Sequence, residues 1–204
     1  PMVQTTTPQA ISKRVAKLID KLASRDKPVY LPVTPEPTAQ DNECFPNVLA
    51  KIRSSGGSML CGRQIWEWPN VLVEAEFHAV WRSPSGELVE ITPKRHGEAK
   101  ILFVPDSRLV YDGYSRDNVR MAVRDDALVH DFIRTAEAVF KLMNRGERAK
   151  VTGYVSIPRD EYEPLALAQT FLAQSIEQGL KDHSLCLCGS GRKYRQCHSR
   201  MFQW

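Results

Sequence analysis

Apolar residues recur at helical spacing near the start of the chain, at Ile11, Val15, Leu18, Ile19 and Leu22, with Lys and Arg between them. That stripe predicts an amphipathic helix over 8–25, with Thr7-Pro8 suited to its cap and first turn. Prolines at 28, 32, 35 and 37 then forbid a helix over 27–40 and predict an extended linker, which could equally wrap along the body's surface. Asp41 or Asn42 can cap a second helix running to residue 52 or 53, where Ser54-Ser55-Gly56-Gly57 ends it. Alternating, β-rich runs follow at 58–66, 71–81, 87–92 and 101–104, with a weaker one at 109–111. The Ser-Pro-Ser-Gly stretch at 83–86 predicts a tight hairpin. Two long apolar stripes predict helices over about 115–144 and 159–181. A helix, a set of short strands, two helices and a cysteine-rich tail together predict an α+β fold. Composition divides the chain into an N-terminal helix and Pro-rich linker at 1–40, a body at 41–180 and a small module at 181–204.

Charge sharpens that division. The net charge is +4. Lys181, Arg192, Lys193, Arg195 and Arg200 stand against Asp182 alone in the last segment, which accounts for all of it. A balanced body has no excess charge to attract nucleic acid, while the tail could attract an acidic protein or RNA. No apolar run approaches the ~20 residues of a membrane helix. The first residues have neither the basic region nor the apolar run of a secretory signal, so a reducing cytoplasm is the expected compartment.

The tail also holds Cys186, Cys188, Cys197 and His198, two tight pairs around Gly189-Ser190-Gly191. Three thiolates and an imidazole form a closed tetrahedral set for a structural Zn2+. A segment this short needs the metal to fold. The string C-x-C-G-S-G-x-K-Y-x-x-C-H resembles the SEC-C motif, the zinc tail of the bacterial preprotein translocase motor. The resemblance implies a detachable docking module that contacts a chaperone or ribosome.

A second constellation lies in the body. Cys44 falls at a helix start, where the dipole and free N–H groups favour a thiolate. His78 lies in the run Glu74-Ala-Glu-Phe-His-Ala-Val-Trp81, and Glu90 follows across the hairpin in Glu87-Leu-Val-Glu-Ile-Thr92. A histidine can take the thiol proton, and a carboxylate behind it can fix the imidazole tautomer. Glu74, Glu76 and Glu87 are competing carboxylates for that role. The oxyanion donors are expected at the Cys44 N–H, with the side chain of Gln40 or Asn42 beside it.

This order resembles the transglutaminase-like branch of the papain-like cysteine enzymes. His78-Ala79-Val80-Trp81 is similar to the family's His-Ala-Trp stretch, with one extra residue before the tryptophan. Gly86 with Glu90-Ile91-Thr92 is similar to its Gly…Asp-x-Thr stretch, with Glu in place of Asp. Gly56-Gly57 and Gly62-Arg63 match its intervening glycines. The resemblance implies Cys44 as nucleophile, His78 as general base and Glu90 as orienting acid. It also implies a papain-like core of a helix and a small antiparallel sheet.

Cys61 is expected in the core, and Trp66 and Trp68 on one side of a strand. The basic tract 93–100 is expected to be a solvated loop, and Asp125, Asp126 and Asp131 the polar face of their helix. Two functions remain open at this point. One is a cysteine-dependent peptidase, amidase or deamidase acting on a protein or peptide amide, with the zinc tail for recruitment. The other is a non-catalytic adaptor docking through that tail to a chaperone, ribosome or other acidic partner. A nucleic-acid factor using the basic tail is a third and weaker reading.

Overall fold

The computed structural model describes residues 5–151 and 154–202. They form a mixed helix-and-sheet architecture with four α-helices and a near-barrel antiparallel sheet. The chain divides into two compact units, one of 5–67 with 73–119, the other of 68–72 with 120–202 among the described residues. Among those residues no helix is long and apolar enough to cross a membrane.

The first unit begins with α1 (Lys13–Leu22), which buries Val15 and Leu18. Its N-cap is Ser12, whose hydroxyl accepts from Val15 N at 3.3 Å, so the helix starts later than Thr7-Pro8 suggests. Thr7 is instead buried, and its Oγ1 donates to Lys100 O at 3.1 Å. The Pro-rich stretch is only partly a linker, because 29–32 form strand β1 (Val29–Pro32). Pro28 and Pro32 bracket this strand, which lets an edge ladder form between them.

α2 (Cys44–Ser55) follows, then β2 (Ser58–Trp68), β3 (Leu72–Arg82), the short β4 (Leu88–Val89) and β5 (Lys100–Pro105). The sheet order is β1-β5-β2-β3-β4. β1 pairs antiparallel with β5, Tyr30 opposite Leu102. Beyond β1 the chain turns along the segment after β4, with Thr34 N donating to Glu90 O (2.8 Å) and Glu36 N to Ile91 O (3.1 Å). These bonds nearly close the sheet on itself, which shortens its exposed edges. The 83–86 hairpin forms as expected, with Gly86 N on Ser83 O and Ser83 N on Glu87 O. No strand forms at 109–111.

Period-2 alternation sorts two apolar clusters. Leu31, Val80, Ile101 and Phe103 form one. The other lies under α2, where Cys44 and Val48 meet Ala79 and Ile91. Close approach fixes two glycines: a Cβ at Gly57 would stand 2.3 Å from Arg82 O, and one at Gly62 would stand 2.3 Å from Val104 O.

In the second unit, β6 (Val119–Ala122) leads to α3 (Ala127–Met143), and α4 (Arg159–Glu177) packs against it. The long helix expected from residue 115 therefore begins twelve residues late. Asp126 explains this: its carboxylate caps Leu128 N (2.9 Å) and Val129 N (3.3 Å), and extended backbone precedes it. Asp126 and Asp131 are thus not a polar face, since Asp131 is fully buried. Replacing Asp126 with Ala should cost about 1–2 kcal/mol in urea unfolding, the usual loss of a two-bond cap.

Leu128, Val129 and Phe132 of α3 pack with Ala168, Leu172 and Ile176 of α4. Cys186, Tyr194 and Phe202 complete the same core, so the cysteine-rich tail packs within this unit. Its separateness in sequence reflects composition, whereas its apolar residues have only the α3–α4 face to bury against.

Candidate active site and metal centre

α2 delivers Cys44 to its first turn with the thiol buried. Glu43, not Asp41 or Asn42, occupies the N-cap, and it makes no side-chain cap bond. Asn42 instead takes a left-handed turn at φ 61°. The first-turn N–H groups of α2 therefore have no side-chain cap, and the positive end of the helix faces the thiol.

β3 carries His78, which is 4% exposed. The register Trp81↔Val89 and Arg82↔Leu88, extended along the chain, puts Glu90 on the same face as His78. The two side chains meet, Nε2 of His78 on Oε2 of Glu90. Nδ1 is the ring nitrogen that this contact leaves over, and Cys44 is among the groups that act electrostatically on the ring.

Burial acting alone would push the His78 pKa down. Glu90, and after it Cys44, outweigh burial and raise it to about 10. Burial likewise opposes ionisation of Glu90, but the imidazolium, Lys94 and the Thr92 N–H hold its carboxyl below the ordinary range. The pair is thus an imidazolium–carboxylate ion pair at neutral pH.

Two of the three competing carboxylates are engaged elsewhere, and the third, Glu87, is exposed. Glu76 accepts from Trp66 Nε1 at 2.6 Å, and Glu74 from Asn118 Nδ2 at 3.2 Å. Trp81 donates to Gly56 O (3.0 Å) and stacks under Lys51, pinning the C-terminal end of α2. Trp68 packs edge-on against Phe132 in the second unit. Cys61 lies in the core as expected, its pKa raised by burial.

Two residues of this site escape a sequence reading. Asn47, one helical turn after Cys44, donates from Nδ2 to Gln40 O (2.9 Å) and Thr92 Oγ1 (3.3 Å), while its Oδ1 accepts from Gln40 N (3.1 Å). It locks the approach to α2 onto the strand end that holds Glu90. A polar residue on the buried face of an amphipathic helix was the available signal. Lys94 lies in the tract expected to be solvated, yet its side chain is 6% exposed and pairs with Glu90 Oε2 at 3.3 Å.

The second centre is built on the tail. Cys186, Cys188, Cys197 and His198 place one ligand atom each within 4.8 Å of all the others. Cys188 and Cys197 are 3.6 Å apart between sulfurs. Nδ1 of His198 lies 3.1 Å from Cys186 Sγ and 3.5 Å from Cys197 Sγ. A tetrahedral ion with ~2.3 Å sulfur and ~2.0 Å nitrogen bonds needs edges of about 3.5–3.8 Å, so these four ligand atoms are close enough together to hold one ion after small adjustments. Ser190 Oγ approaches Cys197 Sγ at 3.4 Å, an outer partner that orients the ligand. His198 stacks on Phe171 of α4, and the Tyr194 hydroxyl bonds the buried Asp131 carboxylate, itself paired with Arg134.

The SEC-C motif matches residues 184–200. No curated protein and no solved structure matches the chain. The tail is accordingly a SEC-C segment whose Cys/His cluster is positioned for metal binding.

Proposed function

We propose that the chain is a cysteine-dependent acyl-transfer hydrolase, with a papain-like or transglutaminase-like core, acting on an amide of a protein or peptide. One observation carries this reading: a thiol at an uncapped helix N-terminus beside an imidazole whose far nitrogen is held by a buried carboxylate. The nucleophile is Cys44. Its thiolate attacks the amide carbon, and the first-turn N–H groups of α2 take the oxyanion charge. His78 gives its proton to the leaving nitrogen, so the C–N bond breaks as the thioester remains. Neutral His78 then takes a proton from water, whose oxygen displaces Cys44 and releases the acid. Glu90 stays ionised throughout and fixes the ring. Ammonia as the leaving group gives a deamidase, and a peptide amine gives a peptidase.

Zn2+ is the ion we assign to the tail, because three cysteine sulfurs and one imidazole in a closed tetrahedral set match its structural preference. Bound there, it would tie Cys186 and Cys188 to Cys197 and His198. A chaperone, ribosome or other acidic protein is the proposed partner of this segment, which carries Arg192, Lys193 and Arg195.

The test uses iodoacetamide near pH 7, with Cys44 and Cys61 followed separately by peptide mapping. Cys44 should react at least tenfold faster, and His78→Ala should remove the difference. Release of amine or ammonia from a peptide-amide library should fall by about 10³-fold or more in Cys44→Ala. Equal reactivity of the two thiols would sink the enzyme reading in favour of a non-catalytic adaptor.

A further inference from the structure

The buried centre holds a second cation that the Cys-His-carboxylate scheme does not require. Lys94 follows β4 by five residues, in a loop rich in exposed positive charge, yet its ammonium points inward. It sits 3.3 Å from Glu90 Oε2, the same oxygen that meets His78, and donates to Gln64 Oε1 at 2.9 Å. Gln64 and Glu90 are fully buried. Glu90 Oε1 is occupied by the Thr92 N–H at 2.7 Å, so the carboxylate has a partner on each side.

Charge balance gives this cation a role. Burial makes a net charge expensive, so a buried cluster settles near neutrality. Without Lys94, imidazolium and carboxylate already cancel, and ionising Cys44 would leave one uncompensated negative charge. With Lys94 cancelling Glu90, the imidazolium needs another counter-ion, and the neighbouring thiolate is the group available. The remaining neighbours do not supply that charge. Phe103 meets His78 edge-on and is uncharged. Cys61 and Tyr111, near Cys44, have their pKa values raised by burial and stay neutral. Arg116 acts on Cys61, and Glu43, the N-cap residue before Cys44, acts on Tyr111.

We propose that Lys94 is a positioning residue that neutralises Glu90 and so makes the Cys44 thiolate the counter-ion of the His78 imidazolium. The inference rests on the hydrolase reading and defines the pH range over which that site is armed. Removing the cation should disfavour both the thiolate and the neutral imidazole. The whole reactive window then moves to higher pH.

Lys94→Gln is the first variant, because an amide can still meet Gln64; Lys94→Met is a second neutral variant, and Lys94→Arg restores the charge. The probe is iodoacetamide, with the Cys44 rate followed from pH 5 to 10 and His78 titrated by imidazole NMR. Either neutral variant should move the alkylation midpoint up by about one pH unit and His78 in the same direction. Lys94→Arg should stay near wild type. A uniform loss of rate with an unmoved midpoint assigns Lys94 a packing role and overturns the proposal. Wild-type Cys44 reacting no faster than Cys61 overturns it too, but through failure of the hydrolase reading. An activated wild type with unmoved variants removes the Lys94 role alone.

Discussion

Glu90→Gln should be the most damaging single substitution in the first unit, lowering its stability by about 3–5 kcal/mol in urea unfolding. The exchange is nearly isosteric, so the loss does not come from packing. It comes from leaving the Lys94 ammonium buried without its counter-ion and His78 without the acceptor that keeps it charged. The effect has a pH signature. His78 is raised from 6.5 to about 10, so its contribution is complete below about pH 6.5 and disappears as pH rises through about 10. Glu90 is lowered from 4.5, so its contribution is complete above about pH 4.5 and disappears as pH falls. The wild-type advantage should therefore be greatest between about pH 4.5 and 6.5 and shrink on both sides. Adding Lys94→Met to Glu90→Gln should recover part of the loss, because the stranded cation is gone. A variant within 1 kcal/mol of wild type at pH 6 would show that the ion pair does not hold this unit together.

What made this centre legible was sequence order: a cysteine at a helix start, a histidine in one strand and an acid across a four-residue hairpin. The family-like stretch Gly86 to Thr92 pointed to Glu90 and left Glu87 open, and the register Trp81↔Val89 then puts Glu90 on the His78 face by period-2 alternation. Lys94 was hidden for the opposite reason. Pro93-Lys94-Arg95-His96-Gly97 reads locally as a solvated turn, and only Gln64 and Glu90, one of them thirty residues away, make burying that ammonium favourable. Tertiary partners also decided the late start of α3, where Asp126 caps the helix and Val123 and Arg124 donate to Val71 O across the hairpin tip. Asp131 shows the same limit. An acid at a helical position looks solvent-facing until Tyr194, sixty-three residues later, bonds it in the core. Local signals located the elements and the reactive types, and long-range pairing chose which polar groups are inside.

Removing the metal should have a larger effect on the second unit than the size of the tail suggests. A free-standing zinc segment would unfold alone on chelation and leave the helices intact. Here Cys186, Tyr194 and Phe202 fill the core between α3 and α4, and the His198 ring stacks on Phe171. Loss of the ion releases three thiols and an imidazole from one another and leaves only packing, such as Cys186 in the core and His198 on Phe171, to hold the segment. With them goes the apolar cover over Leu128, Phe132, Leu172 and Ile176. Structural zinc in short peptides binds with an apparent ~10–16 kcal/mol, comparable to the whole stability of a typical domain, about 5–15 kcal/mol. Chelation, or Cys197→Ser, should therefore lower the melting temperature of the helical unit and expose a dye-binding apolar surface. Tyr194→Phe is the calibrating variant. It leaves one oxygen of the buried Asp131 carboxylate without its donor and should cost about 1–3 kcal/mol with the metal retained. One metal per chain by elemental analysis, and a tetrahedral cobalt spectrum after exchange, would establish the ligand set. A chelated protein that melts with the metal-loaded form would show that packing against α3 and α4, not the ion, folds this segment.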